Sequence, residues 1–287
     1  MSTVYLNGEF LPKEQAMVSV EDRGFLLSDG IYEVTPAYRG QFYRMNDHLK
    51  RLRGGLTDLR IDYNPEELVE VQEHLLAAND LVGAEVSIVY LQITRGVAER
   101  THYFPTFPTS PTVYAFAKEF HRPSVERWLE GFGAVTVPDR RWSRVDIKSI
   151  SLLPNVMAAQ AAVDAGVDDA LLVKNGVALE GAQNNIFAVK GDTLITHPAT
   201  QEILHGVTRS VIIEIADSLG LPLQERPIQA EELEDVDELF FSGTTTEVRP
   251  TVTLDGKAVG SGGVGEVSKA IYGAFRKEIG QPLDEDW

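Results

Sequence analysis

Alternating and helical runs of apolar residues divide the chain into distinct elements. Val4-Tyr5-Leu6 and Glu9-Phe10-Leu11 flank Asn7-Gly8, a pair suited to a type I′ turn, and predict a β-hairpin. Residues 30–38 and 41–44, on either side of Arg39-Gly40, predict a second. Leu49, Leu52, Leu56 and Leu59 fall on one stripe of a helix starting near Met45. Pro65 suits the first turn of another helix, with Leu68, Leu75 and Leu76 on its inner side. Strands follow at 84–95 and 112–117. Past a polar stretch, strands are expected at 132–137 and near 144–149. An Ala-rich helix is expected over 155–165, introduced by Pro154 and stopped by Gly166. A four-strand meander spans 170–196, an amphipathic helix carries Val211, Ile212 and Ile215, and an apolar strand occupies 239–242. A last helix covers 266–279. The pattern predicts an α+β protein with a small N-terminal domain (1–118), a linker (119–130) and a larger, β-rich C-terminal domain (131–287).

Composition narrows the function. A 43% hydrophobic share over 287 residues predicts a globular, two-domain chain. Lys and Arg number 26 against 43 Asp and Glu, a net charge of −17, which disfavours nucleic acid and anionic membranes as partners. An anionic substrate must then be met by a local basic pocket. The absence of cysteine removes disulfides, thiolate metal clusters and a cysteine nucleophile. The N-terminus lacks a basic, apolar leader pattern and no run is long enough to span a membrane, so a cytoplasmic protein is expected. The histidines show no ligand spacing, so no metal is expected. Gly260-Ser-Gly262-Gly263-Val-Gly265 has the form G-x-G-x-x-G, but too few residues follow for a βαβ unit. It reads as a loop feeding the last helix, which disfavours a nicotinamide oxidoreductase.

Four places hold candidate chemistry. Lys148 lies in Val-Asp-Ile-Lys-Ser-Ile-Ser-Leu, where alternation puts it on the face of Ile150 and Leu152. A lysine amine in such a setting can attack a carbonyl, although an edge-strand lysine reaching to solvent fits the same pattern. Glu180 ends a strand among small and apolar residues and needs a cationic or hydrogen-bonding partner; a pyridinium nitrogen would serve, as would a turn-side position in water. Gly206-Val207-Thr208 precedes the amphipathic helix, offering amide groups and a hydroxyl to a phosphate, or simply an N-cap. Gly243-Thr244-Thr245 is a second hydroxyl cluster, and Arg51 on the Leu49/Leu52 helix can supply positive charge.

Taken together these residues resemble a fold-type IV pyridoxal-phosphate aminotransferase over nearly the whole length, most closely the D-amino-acid (D-alanine) aminotransferases. Glu21-Asp22-Arg23-Gly24 and Asp29-Gly30-Ile31-Tyr32-Glu33-Val34 are similar to the family's opening signature. His48-Leu-Lys-Arg51-Leu matches its phosphate-binding arginine segment, and Asp146-Ile-Lys148-Ser149 its cofactor-lysine motif. The resemblance implies pyridoxal 5'-phosphate carried on Lys148. It implies Glu180 at the ring nitrogen and phosphate contacts from Arg51, Val207, Thr208 and Thr244. Arg100-Thr-His102 matches the Arg-x-His pair which, with a tyrosine matching Tyr32, binds the substrate carboxylate in D-amino-acid enzymes. That pair reaches in from a neighbouring subunit, which implies a homodimer with shared active sites.

The implied reaction is ping-pong transamination of D-amino acids such as D-alanine and D-glutamate with a 2-oxo acid, 2-oxoglutarate or pyruvate. Ala182-Gln183-Asn184 and Gly243 stand where the family often has serines, which bears on fine substrate contacts. The alternatives within the fold are a branched-chain L-aminotransferase, an (R)-amine transaminase and an aminodeoxychorismate lyase. Each would keep Lys148 and Glu180 but lack the Arg-x-His pair. A non-catalytic binding protein would not need Lys148 in an apolar setting.

Overall fold

The computed structural model describes residues 2–283; residues 1 and 284–287, the outer ends of the two expected domains, lie outside the described residues. The chain divides into two compact units, Met1–His121 with Ile147–Ser151, and Arg122–Asp146 with Leu152–Trp287.

In the first unit six strands form an antiparallel sheet: β1 (Thr3–Leu6), β2 (Glu9–Pro12), β3 (Gly30–Tyr38), β4 (Gln41–Phe42), β5 (Val86–Thr94) and β6 (Thr112–Glu119), in the order β2-β1-β6-β5-β3-β4. Both expected tight turns form, with Asn7-Gly8 and Arg39-Gly40 in the left-handed region that a type I′ turn requires. One face of the sheet is covered by α2 (Met45–Leu59) and α3 (Leu68–Ala78), which follow the short α1 (Arg23–Leu27). Leu52 and Leu56 from α2, Leu75 and Leu76 from α3, and Ile31, Leu91 and Ile93 from the sheet share one core. Full burial of each such side chain contributes about 1.5–3 kcal/mol. Period-2 alternation along β3 therefore sends Ile31, Glu33 and Thr35 under the helices and Tyr32 and Val34 to the opposite face.

The segment 144–149 is not the strand that alternation suggested. It makes one isolated bridge, Ser149 to Ile31. The reason is that β4 pairs only with Ala37 and Tyr38, leaving the first residues of β3 with an open edge. Ile147–Ser151 fills that edge: the Tyr32 N–H donates to the Lys148 carbonyl (3.0 Å) and the Ile150 N–H to the Gly30 carbonyl (3.1 Å).

The second unit is built on a ten-stranded sheet with flanking helices. α4 (Val125–Glu130), β7 (Phe132–Pro138), α5 (Leu153–Ala165), β8 (Asp169–Lys174), β9 (Val177–Gly181), β10 (Asn185–Lys190) and β11 (Thr193–Thr196) come first. They are followed by α6 (Val207–Ser218), β12 (Leu223–Glu225), β13 (Ile228–Gln229), β14 (Glu238–Gly243), β15 (Glu247–Leu254), β16 (Lys257–Ala258) and α7 (Glu266–Glu278). The strand path is β12-β11-β10-β14-β15-β7-β8-β9-β13, and β9 also pairs with β10 through Glu180 and Asn185. That one pairing closes strands β10-β14-β15-β7-β8-β9 into a circuit, and it places Glu180 at the closure.

Half of the polar stretch expected as a linker is helix α4. Ser124 caps it, and Trp128 is buried with its indole donating to the Val248 carbonyl (2.7 Å). β15 carries no clear alternation, because Arg249 and Pro250 interrupt it. Its place between β14 and β7 comes from tertiary pairing. Gly260–Gly265 is the loop between β16 and α7, and among the described residues no strand follows it. No helix among the described residues is long and apolar enough to cross a membrane.

Candidate active site

In the first unit, β3 and α2 gather a charged cluster around Lys148. The lysine is half-buried while its neighbours Ile147 and Ser149 are buried. Its backbone is fixed by the β3 edge, and its Nζ lies 4.1 Å from the centroid of the Tyr32 ring. Tyr32 in turn stacks on Tyr90 across the sheet, with ring centroids 5.6 Å apart. One residue along, on the buried face, Glu33 accepts from Arg51 Nε (2.9 Å), Arg51 Nη2 (2.6 Å) and His48 Nδ1 (3.0 Å). Burial works against ionising Glu33, but the Arg51 guanidinium and the His48 bond outweigh it and hold the carboxyl well below the usual range. Burial pulls the His48 imidazole below its ordinary value, against the pull of Glu33, and the charges of Arg51 and Lys148 push the same way. The i, i+3 spacing of His48 and Arg51 lets one helix face present both to a single carboxylate. Arg51 is therefore a guanidinium of fixed orientation.

In the second unit, Glu180 is buried and accepts from three protein donors. Arg141 Nη1 donates to Oε1, while Asn185 Nδ2 (2.8 Å) and the Leu204 N–H (3.0 Å) donate to Oε2. Arg141 is itself gripped by Asp139 through Nε (3.0 Å) and Nη2 (2.9 Å). Burial pushes the Glu180 carboxyl up, the Arg141 charge pulls it down, and burial prevails, leaving it at about 7.

Leu204 leads directly into Gly206, the N-cap of α6, which carries no side-chain cap. Helix α6 begins at Val207, two residues earlier than the hydrophobic stripe indicated, so Val207 and Thr208 lie inside its first turn and Thr208 is not the cap. A Cβ on Gly206 would stand 2.1 Å from Asn185 Oδ1, so the helix start and the Glu180 carboxylate share one tightly packed support. The residue before Asn185, Asn184, donates to Asp169 (2.9 Å) and to Thr246 Oγ1 (3.3 Å) in the turn that holds Thr244. Asn184-Asn185 thus ties Glu180, Val207, Thr208 and the Thr244 turn into one assembly.

The structure brings the expected residues together in two groups: Lys148, Tyr32 and Arg51, and Glu180, Val207, Thr208 and Thr244. Arg100 and His102 join neither. Both are exposed on the loop between β5 and β6, and among the described residues neither has a hydrogen-bond or ion-pair partner. Sequence reasoning missed Arg141, because it lies in irregular chain with no periodicity to mark it. It missed Asn185, which stands beside the departure from the family's serines and drew no notice of its own. Glu33 and His48 lay within matched motifs, and nothing in the motifs showed that they orient Arg51.

Residues 30–253 match the amino-transferase class IV family. The chain is a class IV aminotransferase. Over 281 residues, 97% of this chain and 98% of the relative, it is 40% identical to the D-alanine aminotransferase of Staphylococcus haemolyticus. Its fold is similar to the branched-chain amino acid aminotransferase of Escherichia coli, with a TM-score of 0.90 at 26% identity, covering 99% of this chain and 97% of that one. It is also similar to a T.th. branched-chain amino acid aminotransferase solved with pyridoxamine 5'-phosphate, with a TM-score of 0.85 at 25% identity, covering 97% of this chain and 94% of that one. The α+β, two-domain fold-type IV architecture expected from the sequence is therefore the one this aminotransferase has.

Proposed function

We propose that this aminotransferase moves the amino group of D-amino acids, D-alanine and D-glutamate among them, to a 2-oxo acid with pyridoxal 5'-phosphate as cofactor. The observation that supports the chemistry is the Lys148 amine 4.1 Å from the Tyr32 ring centroid, on a backbone held by the β3 edge, with the Glu33-oriented Arg51 in the same unit. The donor set suits the cofactor. Arg51 and the uncapped start of α6, with the hydroxyls of Thr208 and Thr244, would hold its phosphate. Glu180 has three donors on about four lone-pair sites, which leaves one for a ring N–H.

When bound, the cofactor supplies an electron sink for the bond broken at the substrate Cα. Lys148 takes the Cα proton and returns it, its amine acting first as base and then as acid. Glu180 keeps a proton on the ring nitrogen. Tyr32, Arg100 and His102 orient the substrate carboxylate, Arg100 through a two-pronged guanidinium. The preference for D-amino acids is supported by the Arg-Thr-His triplet and by the 40% identity to a D-alanine aminotransferase.

The working unit is a homodimer. Leu153, Val156, Met157 and Val163 of α5 are 56–71% exposed and recur at helical spacing, an apolar stripe suited to a second copy.

A branched-chain L-aminotransferase is the second reading, favoured by the fold match to the Escherichia coli enzyme. Single half-reactions with D-alanine, L-alanine and L-leucine decide, followed by the bleaching of the yellow cofactor-loaded protein. D-alanine is expected to bleach it fastest; a preference for L-leucine overturns the D-specific reading.

A further inference from the structure

The loop that carries Arg100 and His102 is exposed, yet its backbone is held from below by a buried arginine that has no other evident task. Arg23 opens α1 and is 3% exposed. Its Nε donates to Asp29 Oδ2 (2.8 Å), and its Nη1 donates to the carbonyls of Glu99 (3.3 Å) and Thr101 (3.0 Å). Those two carbonyls flank Arg100. The same carboxylate, Asp29, also binds Arg95 through Oδ2 (2.7 Å) and Oδ1 (2.9 Å), and Arg95 lies 3.9 Å from the Phe104 ring centroid, past His102.

Backbone contacts continue the grip. The Arg23 N–H donates to the Gly96 carbonyl (3.0 Å), Asp22 bridges to Val97, and Thr101 Oγ1 donates to the Tyr103 carbonyl (3.0 Å). The carbonyls at 99 and 101 are therefore tied to Arg23, and Tyr103 is linked to Thr101 within the loop, while the side chains between them, Arg100 and His102, stay free. A fixed backbone with free side chains is the arrangement a rigid recognition loop needs, because the entropy of ordering the loop is already lost before the ligand arrives.

We infer that Arg23, held by Asp29, is a positioning residue for substrate recognition, presenting Arg100 and His102 in the geometry that receives the substrate carboxylate. The inference rests on the proposed role of Arg100 and His102. It gives the Asp22-Arg23 and Asp29 part of the opening signature a function in specificity.

The test is a double-mutant cycle in the cofactor-loaded enzyme. Arg23→Ala is expected to raise KM for D-alanine roughly tenfold with a much smaller change in kcat, since a small displacement of the trap weakens capture before it alters the proton transfer. Amide exchange of peptides covering residues 97–104 should rise in the same variant. In a protein already carrying Arg100→Ala and His102→Ala, adding Arg23→Ala should raise KM no further. Arg23→Lys serves if the alanine variant does not fold: one ammonium keeps the charge beside Asp29 but cannot also reach two carbonyls.

An equal rise in KM in both backgrounds would show a general structural role and overturn the proposal. So would an unchanged KM in Arg23→Ala when Arg100→Ala raises it. If removing Arg100 and His102 itself leaves KM unchanged, the carboxylate-trap reading fails, and this proposal with it.

Discussion

A carboxyl group that binds its last proton near neutrality is unusual, and Glu180 owes it to being buried more completely than its partner Arg141 can offset. The consequence for stability has a definite sign. Its pKa in the folded chain, about 7, lies above the ordinary 4.5, so the folded state holds the proton more tightly. The contribution is complete below the ordinary value and is lost as pH rises through about 7. Cofactor-free protein should therefore lose thermal stability between about pH 4.5 and 7, and Glu180→Gln should flatten that part of the Tm profile. In the loaded enzyme the same substitution should leave cofactor bound but lower turnover, roughly 100-fold, because an amide cannot hold a proton on the ring nitrogen electrostatically. Unchanged turnover together with an unchanged Tm slope would remove Glu180 from the site.

Between residues and molecule stands the start of α6, where a helix N-terminus and a carboxylate depend on the same asparagine. Gly206→Ala places a methyl group 2.1 Å from Asn185 Oδ1, and Asn185 is already committed to Glu180 (2.8 Å) and the Leu204 carbonyl (2.9 Å). Overpacking of this kind costs about 1–3 kcal/mol. The variant should bind cofactor about tenfold or more weakly, read by equilibrium dialysis; wild-type retention would mean the helix start does not hold the phosphate.

Elements with strong periodicity were legible from pattern alone: the Asn7-Gly8 hairpin, the Leu49–Leu59 stripe and the meander ending at Thr196. Lys148 and Glu180 stood out because ionisable groups among apolar neighbours need a reason. What was not legible depended on contacts between distant segments. Ile147–Ser151 has strand-like alternation, yet only the gap beyond β4 decides that it pairs for two or three residues and no more. Arg141 sits in irregular chain, and its meaning appears only when β9 brings Glu180 to it.

At the scale of the whole molecule, Arg100 and His102 have no partner among the described residues of their own chain, whereas Lys148 is bound into its own β3 edge. If the trap serves a neighbouring copy, one chain's defect in Lys148 and another's defect in the trap fall on different sites of a mixed dimer. Lys148→Ala homodimers should be inactive, having lost the residue that moves the proton, and Arg100→Ala/His102→Ala homodimers should turn over D-alanine poorly. When equal amounts of the two are dissociated and reassembled at random, about half the dimers are mixed, and each mixed dimer has one site with both an intact Lys148 and an intact trap. Activity should recover to about a quarter of the wild-type value. If instead Arg100 and His102 serve the site of their own chain, every site in the mixture lacks either the lysine or the trap, and mixing restores nothing. The activity of the reassembled mixture thus separates a shared active site from a self-contained one, and a mixture no more active than its parents would remove the cross-subunit trap.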